Sequence, residues 1–192
     1  MARLLTAIAL CISLMLPQSV LGATAVMDAS AWISTQFSEA KLRHPDRISR
    51  LVYHHAAVND LPFHLLLAVI AVESSFVPNA RSSHGAVGLT QVLPKYHKDK
   101  IKGRNLEKPE VAIEVGAIVL GNCLERWKQQ DRALRCYSGS TGKHAVEYVN
   151  LVSRRMRQFT TFRVVQESQR TRIAMLPPSA NHDTALSESS TH

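Results

Sequence analysis

Leu65-Leu66-Leu67-Ala68-Val69-Ile70-Ala71-Val72-Glu73 is the stretch on which the fold turns. The apolar run has no polar break and ends on a carboxylic acid. A helix that is apolar all round belongs in the centre of a domain. Its start is marked by Asp60, a good N-cap residue, and by Pro62, which a first helical turn tolerates. Pro78 blocks much continuation. Other helices must therefore wrap this one, and the rest of the chain supplies them.

Before it, residues 28–43 read as a weakly amphipathic helix with Trp32, Ile33 and Phe37 on its apolar side, interrupted by His44-Pro45. A second helix is expected from Asp46 to about Val58, with Ile48, Leu51, Val52 and His55 on one face. Adjacent His54 and His55 point in different directions on a helix and do not converge on one ion, so no metal is assigned. After it, residues 79–90 are small and polar and read as a long ordered loop, with a short helix expected near Thr90 or Gln91. Lys95 to Arg104 is a basic, exposed connection. Pro109 opens a helix to about Trp127, burying Val111, Val115, Ile118, Val119, Cys123 and Trp127. Asp131 is expected to cap a short helix through Tyr137. The last helix covers about Lys143 to Gln158, burying Ala145, Val149, Val152 and Met156. Strand-like alternation is rare throughout, so the expected fold class is all-α.

The 192-residue chain suits one domain with short appendages, and 45% hydrophobic residues suffice for a core. Its net charge of +8 points to an anionic partner, whether nucleic acid, membrane surface or cell-wall polymer, or simply to solubility. No zinc-finger, RRM or KH signature is present, and no nucleic-acid partner is expected. Arg3, the apolar residues 4–16, Pro17-Gln18 and Ala23-Thr24-Ala25 have the layout of a secretory signal peptide, cleaved after Ala25 or Ala23. Residues 1–25 are therefore expected to be removed, leaving a periplasmic mature chain without a transmembrane segment; an uncleaved anchor is the alternative. Leu10 precedes Cys11 where lipidation wants a small residue. The two remaining cysteines, Cys123 and Cys136, point to a disulfide in an exported protein, with two buried thiols as the alternative. A bridge closing a loop of this length stabilises by about 3 kcal/mol in the chain-entropy account. Residues 161–192, rich in Ser, Thr and Gln past Val165, are expected to be a disordered tail.

Glu73 shares its helix face with Leu66, Val69 and Ile70. A carboxylate ending so apolar a stripe risks desolvation, which raises its pKa and keeps a proton available near neutral pH. That suits a general acid. The bland alternative is a helix-end glutamate facing water or paired with a cation such as Arg81. Ser82 and Ser83 follow as hydrogen-bonding groups, Gly85 and Gly88 let backbone approach a ligand, and Gln91 offers a donor and an acceptor to a sugar.

The ordered series is more specific than its parts. Glu73-Ser74-Ser75-Phe76-Val77-Pro78-Asn79-Ala80, then Ser82, then Gly85-Ala86-Val87-Gly88-Leu89-Thr90-Gln91-Val92-Leu93-Pro94 resembles, without gaps, the SLT-type lytic transglycosylases. The likeness continues through Pro109-Glu110, Gly116-Ala117 and Ala133-Leu134-Arg135-Cys136-Tyr137 to Tyr148-Val149, covering about residues 46–155. Departures are Thr90 where Met is common, Ala112 for a frequent Asn, and Ser138-Gly139-Ser140 where Asn, a small residue and Gly are usual. The resemblance implies a lysozyme-like α-helical domain, spanning residues 26–160, with a glycan groove. It implies Glu73 as catalytic acid/base, Ser82 orienting substrate or carboxyl, Gln91 and Tyr137 lining the cleft, and Leu93 as an apolar wall. No cofactor is implied. The expected substrate is peptidoglycan, and analogy at the family level suggests a secretion, conjugation or pilus apparatus as a partner.

Glycosidases ordinarily use two carboxylates. Between Leu61 and Lys98 the only acid is Glu73, which fits a substrate-assisted, non-hydrolytic cleavage. A lysozyme-like hydrolase on the same fold and a non-catalytic peptidoglycan-binding protein remain the alternatives.

Overall fold

The computed structural model describes residues 18–37 and 44–175. The apolar stretch 4–16 and the last part of the expected tail, residues 176–192, lie outside the described residues. Among the described residues the fold is all-α and lysozyme-like: α1 (Gln18–Gln36), α2 (Pro45–Val58), α3 (Phe63–Ser74), a 3-10 turn (Pro94–Tyr96), α4 (Lys98–Ile101), α5 (Pro109–Trp127), α6 (Gln130–Ser138) and α7 (Gly142–Ala174). No described helix is long and apolar enough to cross a membrane.

Helix α3 is the central element. Leu65 through Ala71 are all buried. Each large side chain there contributes about 1.5–3 kcal/mol by leaving water. Helix α7 lies along α3, α2 packs beside it, and α1 covers α2 and α7. An aromatic cluster seals one side: Trp32 lies 5.3 Å from Phe37 and 5.4 Å from Phe159, and Phe37 lies 5.0 Å from Phe76, between ring centres. A second, smaller core of Val87, Val92, Ile101, Leu106, Val115 and Val119 pins the 79–106 segment onto α5. Thr90 Oγ1 donates to the Ala112 carbonyl at 2.8 Å, so the two departures from the usual motif meet here. The approach is close enough that a Cβ at Gly116 would meet Thr90 at 2.4 Å. Gly88 (φ +80) presses on the Leu106 carbonyl, so its lack of a side chain serves packing rather than ligand approach.

Several expected details differ. Helix α1 begins at Gln18, before the expected start, and residues 38–43 of the expected helix lie outside the described residues. Asp60 does not cap α3: it has φ 51, Pro62 stands at the N-cap, and the Pro62 carbonyl takes the first N–H groups of the helix. Asp131 lies inside the first turn of α6, where it favours the positive helix end without capping it. No helix forms at Thr90–Gln91, because Val87 and Val92 form bridge contacts and Gln91 sits at φ 47; the helical turns come later, at Pro94 and Lys98. Within the basic connection, Ile101 is buried and anchors it. Trp127 ends α5 exposed, with the Arg132 guanidinium over its ring. The greatest difference is α7, which continues past Gln158 to Ala174, so residues 161–174 are helical. Phe159 is buried among the aromatic rings, and Arg163 and Arg170 reach back to the buried carboxylate of Asp28 on α1.

Candidate active site

Helix α3 ends immediately after Glu73. Ser75 (φ 49) and Phe76 (φ 62) are both left-handed, an uncommon state for a bulky side chain. Burial of the Phe76 ring against Trp32 and Phe37 compensates for it. Ser74 Oγ donates to the Leu89 carbonyl at 2.8 Å, tying the helix end to the following loop. Glu73 is thereby held at the edge of the core, in the last turn of an apolar helix.

Its carboxyl group opens into a groove of about 800 Å³ between α3, α6, the start of α7 and the 82–97 segment. Tyr148, half-buried on α7, donates its hydroxyl to Glu73 Oε1 at 2.6 Å. Burial pushes the Glu73 pKa up to about 7, and the Tyr148 hydrogen bond opposes that rise. Such a group holds a proton and gives it up with comparable ease near neutrality. Arg81 pairs instead with Glu107, at 2.7 Å, which removes the alternative of an Arg81–Glu73 pair. Glu73 is the only carboxylic acid among the described residues lining the groove.

Ser82, Gln91, Leu93 and Tyr137 all line this groove. Ser82 Oγ accepts the Ala86 N–H at 3.0 Å, bracing its own loop rather than bonding to Glu73. Gln91 Nε2 donates to the carbonyls of Ala80, at 3.0 Å, and Gly88, at 2.9 Å, so its donors hold the loop that forms this wall of the groove. Tyr137 donates to the Thr90 carbonyl at 2.7 Å, and burial followed by the Glu73 charge pushes its phenol further up. Cys123 and Cys136 are joined as a disulfide, which ties α5 to α6 beside Tyr137. Tyr148 stands at a motif position, but nothing in the sequence assigns it to Glu73, 75 residues away along the chain. Among the described residues no cluster of His, Cys, Asp or Glu could hold a metal ion.

Compared with known families, residues 51–151 match the transglycosylase SLT domain, more than half of the chain. The chain belongs to that family. No curated protein matches it. The SLT domain runs from α2 through the first part of α7 and so contains Glu73, Tyr137, Tyr148 and the whole groove. Membership brings lytic transglycosylase chemistry on peptidoglycan, outside the cytoplasm, as the general activity. Helix α1 and most of α7 lie beyond the matched SLT residues.

Proposed function

We propose that the protein cleaves the β-1,4 bond between N-acetylmuramic acid and N-acetylglucosamine without water, with Glu73 as both acid and base. The observation that carries this reading is a lone groove carboxyl whose pKa is raised to about 7 and whose Oε1 is held by Tyr148. The protonated Glu73 gives its proton to the bridging oxygen, and the bond from that oxygen to muramic C1 breaks. The substrate's N-acetyl oxygen bonds to C1 and takes up the developing positive charge. Anionic Glu73 then removes the proton of the muramic C6 hydroxyl. O6 attacks C1 and displaces the acetamido oxygen, closing a 1,6-anhydro ring and returning the proton to Glu73. Tyr148 holds the anionic stage between the two transfers. Ser82, Gln91, Leu93 and Tyr137 line the path of the glycan.

The remainder of the proposal concerns place. Residues 1–25 act as a signal peptide, supported by Arg3, the apolar residues 4–16 and Ala23-Thr24-Ala25. Cleavage after Ala25 removes the first two turns of α1, with the buried Gly22 and Ala25, and leaves Asp28, Ala29, Trp32 and Ile33 to hold the rest of the helix on the core. The mature domain works in the periplasm and opens the wall locally for a secretion, conjugation or pilus apparatus. Glu73→Gln tests the chemistry: it preserves the folded far-UV signal and removes release of soluble fragments from purified sacculi. Substantial release by that variant would overturn the assignment of Glu73.

A further inference from the structure

Lys95 is the only lysine or arginine among the described residues lining the groove. The 3-10 turn that carries it is stiffened by Pro94 and closed by two backbone bonds, Tyr96 N–H to the Leu93 carbonyl at 3.1 Å and His97 N–H to the Pro94 carbonyl at 3.3 Å. Its ammonium lies 4.7 Å from the centre of the exposed Tyr96 ring. The negative ring face attracts the cation and restricts a side chain that would otherwise sweep freely. The acids of this region have other partners: Asp99 pairs with Lys100, Glu107 with Arg81 and Glu114 with Arg104. Among the described residues no carboxylate pairs with Lys95. The neighbouring His97 does not replace it, because burial first and then Lys100 hold that imidazole below its usual range.

A groove with one acid at its floor and one preorganised, unpaired cation at its rim fits a glycan that itself carries carboxylates. We infer that Lys95, held over Tyr96, anchors a carboxylate of the muramoyl unit, so that the groove selects carboxylate-bearing strands over neutral N-acetylglucosamine polymers; this rests on the groove taking a muramoyl glycan. Two sources share that chemistry. One is the stem peptide, whose attachment converts the lactyl carboxylate to an amide. The other is the free lactyl carboxylate of a stripped strand.

The test is binding affinity in the Glu73→Gln background, where no turnover occurs. Glu73→Gln, Glu73→Gln with Lys95→Gln, and Glu73→Gln with Lys95→Arg are titrated with peptide-bearing strands, amidase-stripped strands and chito-oligosaccharides of matched length. Loss of one exposed ion pair is expected to weaken binding about two- to fivefold with Lys95→Gln. Lys95→Arg retains it. The difference fades as salt is raised, because exposed pairs are screened. The anionic ligand that shows the loss identifies the carboxylate source, and the neutral oligosaccharide shows none. Equal weakening on the neutral oligosaccharide, no weakening on either anionic strand, or no binding of any glycan would overturn the anchor. Failure of the wild-type protein to release product would count against the transglycosylase reading instead, and these affinities would still decide the role of Lys95.

Discussion

At Glu73, burial disfavours the anion, and the negative end of helix α3 acts in the same sense. The group therefore binds its proton more tightly in the folded than in the unfolded chain. Stability from this source is present below the unfolded pKa of 4.5 and is lost as pH rises to about 7. Integrated over that window, the loss is about 3 kcal/mol. Glu73→Gln keeps an acceptor for Tyr148 and carries no charge, so it should raise the thermal midpoint at pH 8 more than at pH 4; equal shifts would contradict the buried-acid account. Tyr148→Phe removes the donor that holds the pKa down. The alkaline limb of the pH–rate profile should then move above its wild-type position near 7, with a lower maximal rate; an unmoved limb would show that the hydroxyl does not act on Glu73. The raised pKa was legible in the sequence, because Leu66, Val69, Ile70 and Glu73 share a face at short separation. The Tyr148 partnership was not, since a contact formed between distant helices leaves no periodic trace. Gln91 was legible as a groove residue but not as a loop brace, because its left-handed backbone depends on the tertiary turn around it.

Among the elements, α3 was the most legible, because an unbroken apolar run has one stable location. Helix ends were less so. Asp60 and Asp131 are good capping residues, yet Pro62 and Gln129 hold the cap positions, because connecting turns rather than local propensity set where each helix begins. The end of α7 was missed for a related reason. Apolar spacing weakens after Met156, but Phe159 fits the ring cluster, and Arg163 and Arg170 are held by Asp28 across the molecule. Sequence periodicity registers the first kind of contact weakly and the second not at all. Asp28 has a fully covered side chain, while both arginines keep partial access to water. Asp28→Ala should therefore cost about 1–3 kcal/mol, less than removing one member of a wholly buried pair. Thermal unfolding gives the cost, and hydrogen exchange should report weaker amide protection over residues 163–174. Wild-type protection there would mean that the ion pairs do not hold this part of the helix.

Over the whole molecule, two cores set the groove. The larger one fixes α3 and α7, and with them Glu73 and Tyr148; the smaller one fixes the 79–106 segment on α5, and with it Ser82, Gln91 and Leu93. The disulfide ties α5 to α6 where Tyr137 enters the wall. The all-α class and the motif residues of the groove could be read from composition, spacing and resemblance. The closure of the groove could not, because it depends on Gly88 and Gly116 permitting contacts between segments far apart in sequence. The groove's charge, one carboxylic acid and one permanent cation among the described residues, emerges only at this scale. The central claim is that one carboxyl performs both proton transfers and the substrate's own hydroxyl replaces water. Mass spectrometry of muropeptides released from purified sacculi by the wild-type protein tests it most directly. The account predicts 1,6-anhydromuramoyl ends, lighter than reducing ends by one water; a product population of reducing ends would make the protein a hydrolase and contradict it.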